Sequence, residues 1–171
     1  MPTYKAIAST TVGSGGASNV QFTSIPQTYT DLVVLYSART VRADTADDIG
    51  IEFNGSTGIY SNKRLFGYSG STSGAISDSS AGNEGGVTSS ANATANTFGS
   101  DSIYIPNYTS SNNKSISTDG VSETNTGNAV QALVAGLAST SSAITSIKIL
   151  PRNSSGFVQY SSFTLYGVKN S

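Results

Sequence analysis

Apolar residues recur at every second position along most of the chain, and this spacing restricts the fold more than any other feature of the sequence. It is clearest in "TDLVVLYSARTV" (residues 30–41) and in "DIGIEFNG" (residues 48–55), where Ile49, Ile51 and Phe53 alternate with polar residues and glycine. A period of two places alternate side chains on one face of a β-strand. The sequence therefore predicts an all-β protein, and the lack of helical segments between the strands argues against a parallel α/β fold.

The alternating segments are separated by turn residues at the intervals typical of an antiparallel β-sandwich. About nine or ten strands are predicted, in a jelly-roll-like arrangement, within a single domain that spans residues 1–171. The segments with strand character are residues 4–12, 19–25, 30–41, 48–55, 59–68, 102–106, 113–123, 128–139, 144–151 and 157–168.

Several local features refine this prediction. Residues 69–97 are rich in Ser, Gly, Thr and Asn and predict a long polar loop with one short strand near residues 86–90. Residues 128–139 fit a helix or a strand, and a strand is favoured because no capping residue opens a long amphipathic pattern. A turn is expected near Asp119-Gly120 and a β-bulge at Ser161-Ser162. The strand in residues 30–41 should be covered on both faces.

Composition restricts the partners of such a fold. Only 11% of the residues are charged, against about 25% in an ordinary soluble domain, so the surface should present hydroxyl and amide groups. Nine basic and ten acidic residues are scattered and form no positive stripe, which argues against a nucleic acid partner. No segment approaches the roughly 20 apolar residues of a membrane span and the start does not resemble a signal peptide, so no membrane partner is expected.

The chain contains no histidine and no cysteine. This excludes disulfides, thiolate metal sites and the Ser-His or Cys-His pairs of nucleophilic enzymes. Ser-Lys pairs remain formally possible, but none of the lysines lies in a recognisable motif. Paired carboxylates are another route to hydrolysis, but Glu52, Glu84 and Glu123 are all expected to be solvated and therefore poor general acids. The sequence predicts a protein that is not an enzyme and that needs no cofactor or metal.

Two clusters invite a ligand interpretation. Asp44, Asp47 and Asp48 could supply oxygen ligands to calcium, but their spacing matches no EF-hand loop, and a solvated loop before the strand at Ile49 is the favoured reading. The glycines in residues 13–16 and at 85–86 precede no helix and no P-loop lysine, so both clusters are predicted to be turns.

Nine tyrosines leave a carbohydrate-binding interpretation open, because aromatic rings stack on sugar faces. The candidates near polar segments are Tyr60, Tyr68, Tyr104 and Tyr108. The alternative, which is favoured, is that each ring is buried in the sandwich and its hydroxyl points outward.

Long polar segments on a rigid scaffold are the preferred places for partner contacts. Three are predicted to contact a partner, namely residues 44–48, 69–97 and 107–114. The candidate contact residues are Asp44, Asp47, Asp48, Tyr68, Tyr104, Asn107, Tyr108, Asn112, Asn113 and Lys114.

Three blocks that occur in order, "IPQTYTDLVV", "YIPNYTSSNNK" and "LYGVKNS", resemble a family of small virion structural proteins of tailed phages, including marine phages and cyanophages. The similarity spans nearly the whole chain and is weakest in residues 70–92. The resemblance implies a noncatalytic β-sandwich on the virus particle, made in the host cytoplasm.

Within that family, a capsid decoration (cement) protein is the expected role, because the single compact domain lacks the shaft or adapter of a fibre subunit. Its expected partners are the major capsid protein and other copies of itself, as a homotrimer on the capsid surface. The alternative is a tail-fibre, tail-spike or head-fibre module that binds host surface polysaccharide.

Overall fold

The computed structural model describes residues 1–68, 71–78, 83–125 and 127–169. Within these ranges the chain forms twelve strands, all paired antiparallel, and no helix. The strands are β1 (Thr3–Thr11), β2 (Val20–Phe22), β3 (Asp31–Ala38), β4 (Ala46–Phe53), β5 (Tyr60–Tyr68), β6 (Ser71–Asp78), β7 (Asn83–Ser89), β8 (Gly99–Ile105), β9 (Lys114–Ser122), β10 (Val130–Ala138), β11 (Ile147–Pro151) and β12 (Ser162–Lys169). None of the described segments is a helix that is long and apolar enough to cross a membrane.

The strands form two sheets that enclose one main core. The larger sheet has the order β1-β12-β3-β8-β9-β10-β5-β6, and the smaller sheet has the order β2-β11-β4-β7. The predicted antiparallel β-sandwich is therefore confirmed, with more strands than expected.

Eight of the strands are paired in a nested way. β1 pairs with β12, β2 with β11, β3 with β8, and β4 with β7, so the chain winds inward and then outward through alternate sheets. This winding is that of a jelly roll, which has eight strands in two sheets. The other four strands form the hairpins β5–β6 and β9–β10, which widen only the larger sheet.

The core lies between the sheets and follows the alternation of the sequence. In β3, the side chains of Leu32, Val34 and Ala38 are fully buried, and so are those of Ile147 and Ile149 in β11. Phe163 in β12 packs against Tyr36 in the neighbouring strand β3, with ring centroids 5.4 Å apart, and against Phe157 in the segment before β12, at 4.9 Å. Burial of these side chains is the main favourable term for the fold.

The strand β7 crosses the widened part of the larger sheet at very short range. A Cβ atom at Gly86 or at Gly120 would overlap the carboxylate of Asp101 in β8. Gly86 also has φ 124°, at the register shift between β4 and β7, which a residue with a Cβ atom rarely adopts. Glycine at these positions lets β7, β8 and β9 pack around one buried acid.

Several local predictions are confirmed. The chain turns at Asn54-Gly55, where both residues have positive φ, and β8 ends directly before Pro106, which cannot donate to the ladder. Residues 130–138 form a strand and not a helix. The glycines of residues 13–16 form a turn closed by a 3.0 Å hydrogen bond from Gly16 N to Gly13 O.

The predicted loop at residues 69–97 is wrong over most of its length. Residues 71–78 form β6 and residues 83–89 form β7, which includes most of the short strand predicted near residues 86–90. Gly85 and Gly86 accordingly lie in a strand and not in a turn. Main-chain pairing with β5 and β4 creates these strands, and it requires no apolar alternation. Residues 69–70 and 79–82 lie outside the described residues.

Three smaller predictions are also wrong. Strand β9 continues through Asp119-Gly120 without a turn, because both neighbouring strands pair with it there. At Ser161-Ser162 the chain does not bulge, since β12 begins at Ser162 after a turn in which Tyr160 has φ 73°. Strand β3 is central in its sheet, but its second face is covered only in part, because Val33 is buried whereas Leu35 remains 44% exposed.

Candidate functional site

The predicted contact residues divide among three places in the fold. Asp44, Asp47, Asp48 and Tyr68 lie around a cleft at one side of the sandwich. Tyr104 lies on the outer face of the larger sheet, and Asn107 is exposed directly beyond the end of its strand. Tyr108 and Lys114 are buried, and the exposed Asn112 and Asn113 lie in the connection between them.

Tyr108 and Lys114 are structural and cannot contact a partner. Tyr108 is fully buried and its hydroxyl donates to the carbonyl of Pro26, and burial raises the pKa of that hydroxyl. Lys114 is 1% exposed, and its Nζ donates to Ser110 O at 2.7 Å and also to the carbonyl of Asn112. Burial lowers the pKa of the Lys114 ammonium. These residues anchor the connection between β8 and β9 from within.

Arg39 holds the connection between β7 and β8 in the same way. Arg39 was not among the residues predicted from the sequence. Its Nη1 donates to Thr94 O at 2.8 Å and to Thr97 O at 3.0 Å, and its Nη2 donates to Ala93 O at 2.9 Å. A guanidinium has five N–H donors, so it can bond several main-chain carbonyls of a turn and needs no carboxylate partner. These hydrogen bonds tie the segment between β7 and β8 to the end of β3.

Three tyrosines gather on the outer face of the larger sheet near its β1 edge. Tyr104 is 40% exposed and its hydroxyl donates to Asp31 Oδ2 at 2.8 Å, while Asn107 N donates to Asp31 Oδ1 at 2.9 Å. Desolvation and the neighbouring Asp31 raise the pKa of Tyr104. Tyr4, which is 60% exposed, packs edge-on against Tyr166 with ring centroids 6.5 Å apart. Tyr4 and Tyr166 were not among the predicted contacts, since only strand pairing brings them near Tyr104.

Exposed aliphatic side chains continue across the same face. The aligned registers place Leu35, Ser102, Asp119, Leu133 and Leu65 in one row that crosses β3, β8, β9, β10 and β5. The exposed aliphatic residues of the face are Leu35, Leu65, Val121, Leu133 and Leu137, at 38–48% exposure. In the strands from β12 to β5, its described and exposed charged residues are Lys63 and Asp119.

A shallow groove of about 470 Å³ lies within this surface. Short hydroxyl side chains line it, including Ser37, Ser100, Ser102 and Ser162, between Leu35 and Val121. Serines there let another molecule approach the sheet closely between the larger aliphatic side chains. We refer to the row, the five exposed aliphatic residues, the groove and the three tyrosines together as the outer face.

The cleft lies where the start of β4 faces β5. It has a volume of about 200 Å³ and is lined by Arg42, Asp44, Thr45, Ala46, Asp47, Asp48, Arg64, Phe66, Tyr68, Val87 and Val130. The Arg64 guanidinium lies 4.7 Å from the centroid of the Phe66 ring, and Tyr68 is 39% exposed. Its charges are paired, since Arg42 lies 3.2 Å from Asp44 and Arg64 lies 2.6 Å from Asp48.

The three aspartates of the cleft do not converge on a common point. The Asp47 carboxylate is buried and accepts hydrogen bonds from Thr40 Oγ1 at 2.9 Å and from Ser154 Oγ at 2.6 Å. Asp44 and Asp48 pair with different arginines, Arg42 and Arg64, and Asp47 Oδ1 lies 3.9 Å from Arg42 Nη1. In the described part of the chain no group of three or more His, Cys, Asp and Glu side chains could hold a metal ion, so the calcium interpretation gains no support.

Two of the three glutamates were wrongly predicted to be solvated. Glu84 is 6% exposed and accepts hydrogen bonds from Arg152 Nη1 at 3.0 Å and from Arg64 Nη1 at 3.4 Å. The Glu52 side chain is 12% exposed and pairs with Lys148, whereas Glu123 is exposed as predicted. Glu84 and Glu52 are therefore largely buried partners of cationic side chains and not solvated carboxylates.

The tyrosines of the sugar interpretation separate into two groups. Tyr60 is 6% exposed, accepts a 2.6 Å hydrogen bond from Phe53 N and donates to Ser56 O, and burial raises its pKa to about 12. The rings of Tyr60 and Tyr108 are therefore buried, as the favoured alternative predicted, but their hydroxyls bond main-chain groups and do not point outward. Tyr68 and Tyr104 present ring surface to the solvent, one in the cleft and one on the outer face.

No protein-family model, no curated protein and no solved structure matches this chain. The function is therefore inferred from the outer face and from the cleft between β4 and β5.

Proposed function

We propose that the protein is a noncatalytic virion structural protein, and specifically a capsid decoration protein that bridges subunits of the major capsid protein. It sits on the capsid surface as a homotrimer. The observation that carries this proposal is the outer face, a broad and nearly uncharged surface with exposed aliphatic and tyrosine side chains. The resemblance to small virion proteins of tailed phages supports the same role.

The size of the outer face suits adhesion between proteins. The five strands from β3 to β5 lie about 4.8 Å apart and rise about 3.4 Å per residue, so seven residues of each cover roughly 600 Å². The three tyrosines extend this area toward the roughly 800 Å² that each partner contributes to a standard interface. Exposed aliphatic side chains that are concentrated on one face in this way mark a candidate interaction site.

The composition of the face also predicts how it binds. Since Lys63 and Asp119 are the exposed charged residues on the outer side of the described strands from β12 to β5, attraction must come from burial of apolar and hydroxyl groups and not from charge. A shell that repeats such a contact many times needs no single strong interaction, because bound decoration protein stabilises the assembled state by mass action.

The test is cosedimentation of the purified chain with capsids that lack it. We expect saturable binding at a fixed ratio to the capsid protein, with an affinity that changes less than about threefold between 0.05 and 0.5 M salt. Mass measurement of the free protein should give three copies. No binding to capsids, together with adsorption to host cells, would overturn the proposal in favour of a fibre module.

A further inference from the structure

We propose that the cleft between β4 and β5 is a binding site for one uncharged sugar residue of a glycan. This inference goes beyond the proposed function, because adhesion through the outer face requires no ligand. The cleft and the outer face use different side chains, so either proposal can fail without the other.

The size of the cleft sets the size of the ligand. Its volume of about 200 Å³ lies below the roughly 300–1,000 Å³ of pockets that hold drug-sized ligands. Its floor is apolar, since Val87 and Val130 belong to a small buried cluster against which Ala46 and Phe66 pack. A single six-membered ring fits such a space, whereas a longer oligosaccharide would extend out of it into solvent.

The aromatic residues of the cleft give it an orientation. Arg64 covers one face of the Phe66 ring at 4.7 Å, and this contact fixes the guanidinium above the floor. Tyr68, two residues along β5 on the same side of the strand, keeps 39% of its surface exposed at the rim. Carbon-bound hydrogens of a sugar face pack favourably on such a ring.

Two buried polar atoms of the cleft have no partner among the described residues. They are Thr45 Oγ1 and Arg64 Nε. Leaving a buried donor or acceptor unpaired is unfavourable, and a ligand that pairs it recovers that free energy. Both side chains line the cleft, and a sugar hydroxyl, which donates and accepts, can pair with a threonine hydroxyl or a guanidinium N–H when that side chain turns toward it.

The charges of the cleft favour a neutral ligand. Arg42 pairs with Asp44 at 3.2 Å and Arg64 pairs with Asp48 at 2.6 Å, so neither cation is available to hold a carboxylate or a phosphate. A carboxylate that is paired with arginine still has lone pairs that accept hydrogen bonds from hydroxyl groups. An anionic ligand would compete with the aspartates, and a cationic ligand would compete with the arginines.

The experiment uses the full-length protein and saturation-transfer NMR with single sugars, in buffer that contains a chelator. The neutral probes are glucose, galactose, mannose and N-acetylglucosamine, and the charged probes are glucuronic acid and glucosamine. We expect saturation transfer to at least one neutral sugar, with weaker or no transfer to both charged sugars. No transfer to any neutral sugar, or stronger transfer to a charged one, would overturn the inference.

Matched variants locate the binding. Tyr68→Ala and Thr45→Val should each lower the affinity for the bound sugar at least threefold, while Tyr4→Ala, an exposed tyrosine outside the cleft, should leave it unchanged. Urea unfolding of each variant checks that it is folded, and Tyr68→Leu, which removes the aromatic ring but keeps an apolar side chain, serves as the second variant if Tyr68→Ala is not. Equal binding by Tyr68→Ala and Tyr4→Ala would place the sugar elsewhere and refute the assignment. Capsid binding by Tyr68→Ala should be normal, which separates the two proposals.

Discussion

Asp101 is the residue whose chemistry departs most from its sequence context. It is 5% exposed in β8, accepts a 3.1 Å hydrogen bond from Val87 N, and has no partner among the described residues for Oδ2. Burial raises the pKa of this carboxyl well above its usual range, and Asp119 adds to the increase. The folded state therefore holds a proton here that the unfolded chain releases above about pH 3.9.

The consequence is a stability that falls as pH rises through the window between the unfolded and the raised folded pKa of Asp101. In Asp101→Asn this part of the slope should disappear, since an amide keeps the shape and an acceptor for Val87 N but cannot ionise. The dependence of stability on pH is measured from the urea unfolding midpoints at pH 4, 6 and 8. The exposed Glu123→Gln serves as the control and should retain the wild-type slope. Identical slopes for wild type and Asp101→Asn would show that Asp101 is ionised in the fold.

Lys114 was expected to contact a partner, but its ammonium group instead donates hydrogen bonds to main-chain carbonyls. Replacing it with methionine keeps the apolar stem but leaves the carbonyls of Ser110 and Asn112 without their donor. Loss of hydrogen bonds from a charged donor should destabilise Lys114→Met by about 2 kcal/mol. The exposed Lys63→Met should change the free energy of unfolding by less than about 0.5 kcal/mol. A Lys114→Met variant with normal stability but impaired capsid binding would restore Lys114 to the contact surface.

Among the elements, β7 and β9 show how closely the insertions pack on the jelly roll. A methyl group at Gly120 would overlap Asp101 and lie 3.2 Å from Val87 N, whereas a methyl group at Gly67 in β5 meets nothing within 4 Å. Gly120→Ala should therefore lower the free energy of unfolding by about 1–3 kcal/mol. Gly67→Ala, also a substitution inside a strand, should be neutral or slightly stabilising. Equal unfolding midpoints for both variants would mean that β7 and Asp101 leave room for a methyl group at position 120 of β9.

Alternation of apolar and polar residues predicted the strands whose apolar residues mark one face. It failed for strands whose side chains do not distinguish the two faces. Strands β4 and β11 were readable because isoleucines mark their buried side. Strand β6 was not readable, because serine, threonine and glycine fit either face, and only pairing with β5 defines it. The jelly-roll nesting was likewise beyond reach in detail, since it depends on which distant strands meet.

The candidate sites were predictable only in part, for similar reasons. Tyr104 and Tyr108 are four residues apart, but Asn107 has φ 48° and turns the chain, so one ring stays on the outer face and the other enters the core. Asp48 and Tyr68 were both proposed as contacts from polarity alone. Their shared cleft requires Arg64, whose position follows from the packing of β5 beside β4.

At the scale of the whole molecule, the two hairpins added to the jelly roll create most of the exposed aliphatic surface. Leu65, Val121, Leu133 and Leu137 all lie on β5, β9 or β10, which belong to these hairpins. An eight-stranded jelly roll without them would keep its main core but lose this part of the outer face. The insertions therefore convert a compact sandwich into one with a broad surface for another protein.

The double variant Leu65→Lys/Leu133→Lys tests this surface, because the two side chains lie directly opposite each other on β5 and β10. Burying each leucine in an interface contributes about 1.5–3 kcal/mol, so capsid affinity should fall at least tenfold. Stability of the free chain should change by less than about 1 kcal/mol, since both positions are exposed. Val41→Lys, which is equally exposed but lies outside the sheet, provides the control and should bind normally. Normal capsid binding by the double variant would move the contact off this face, whatever the location of the sugar cleft.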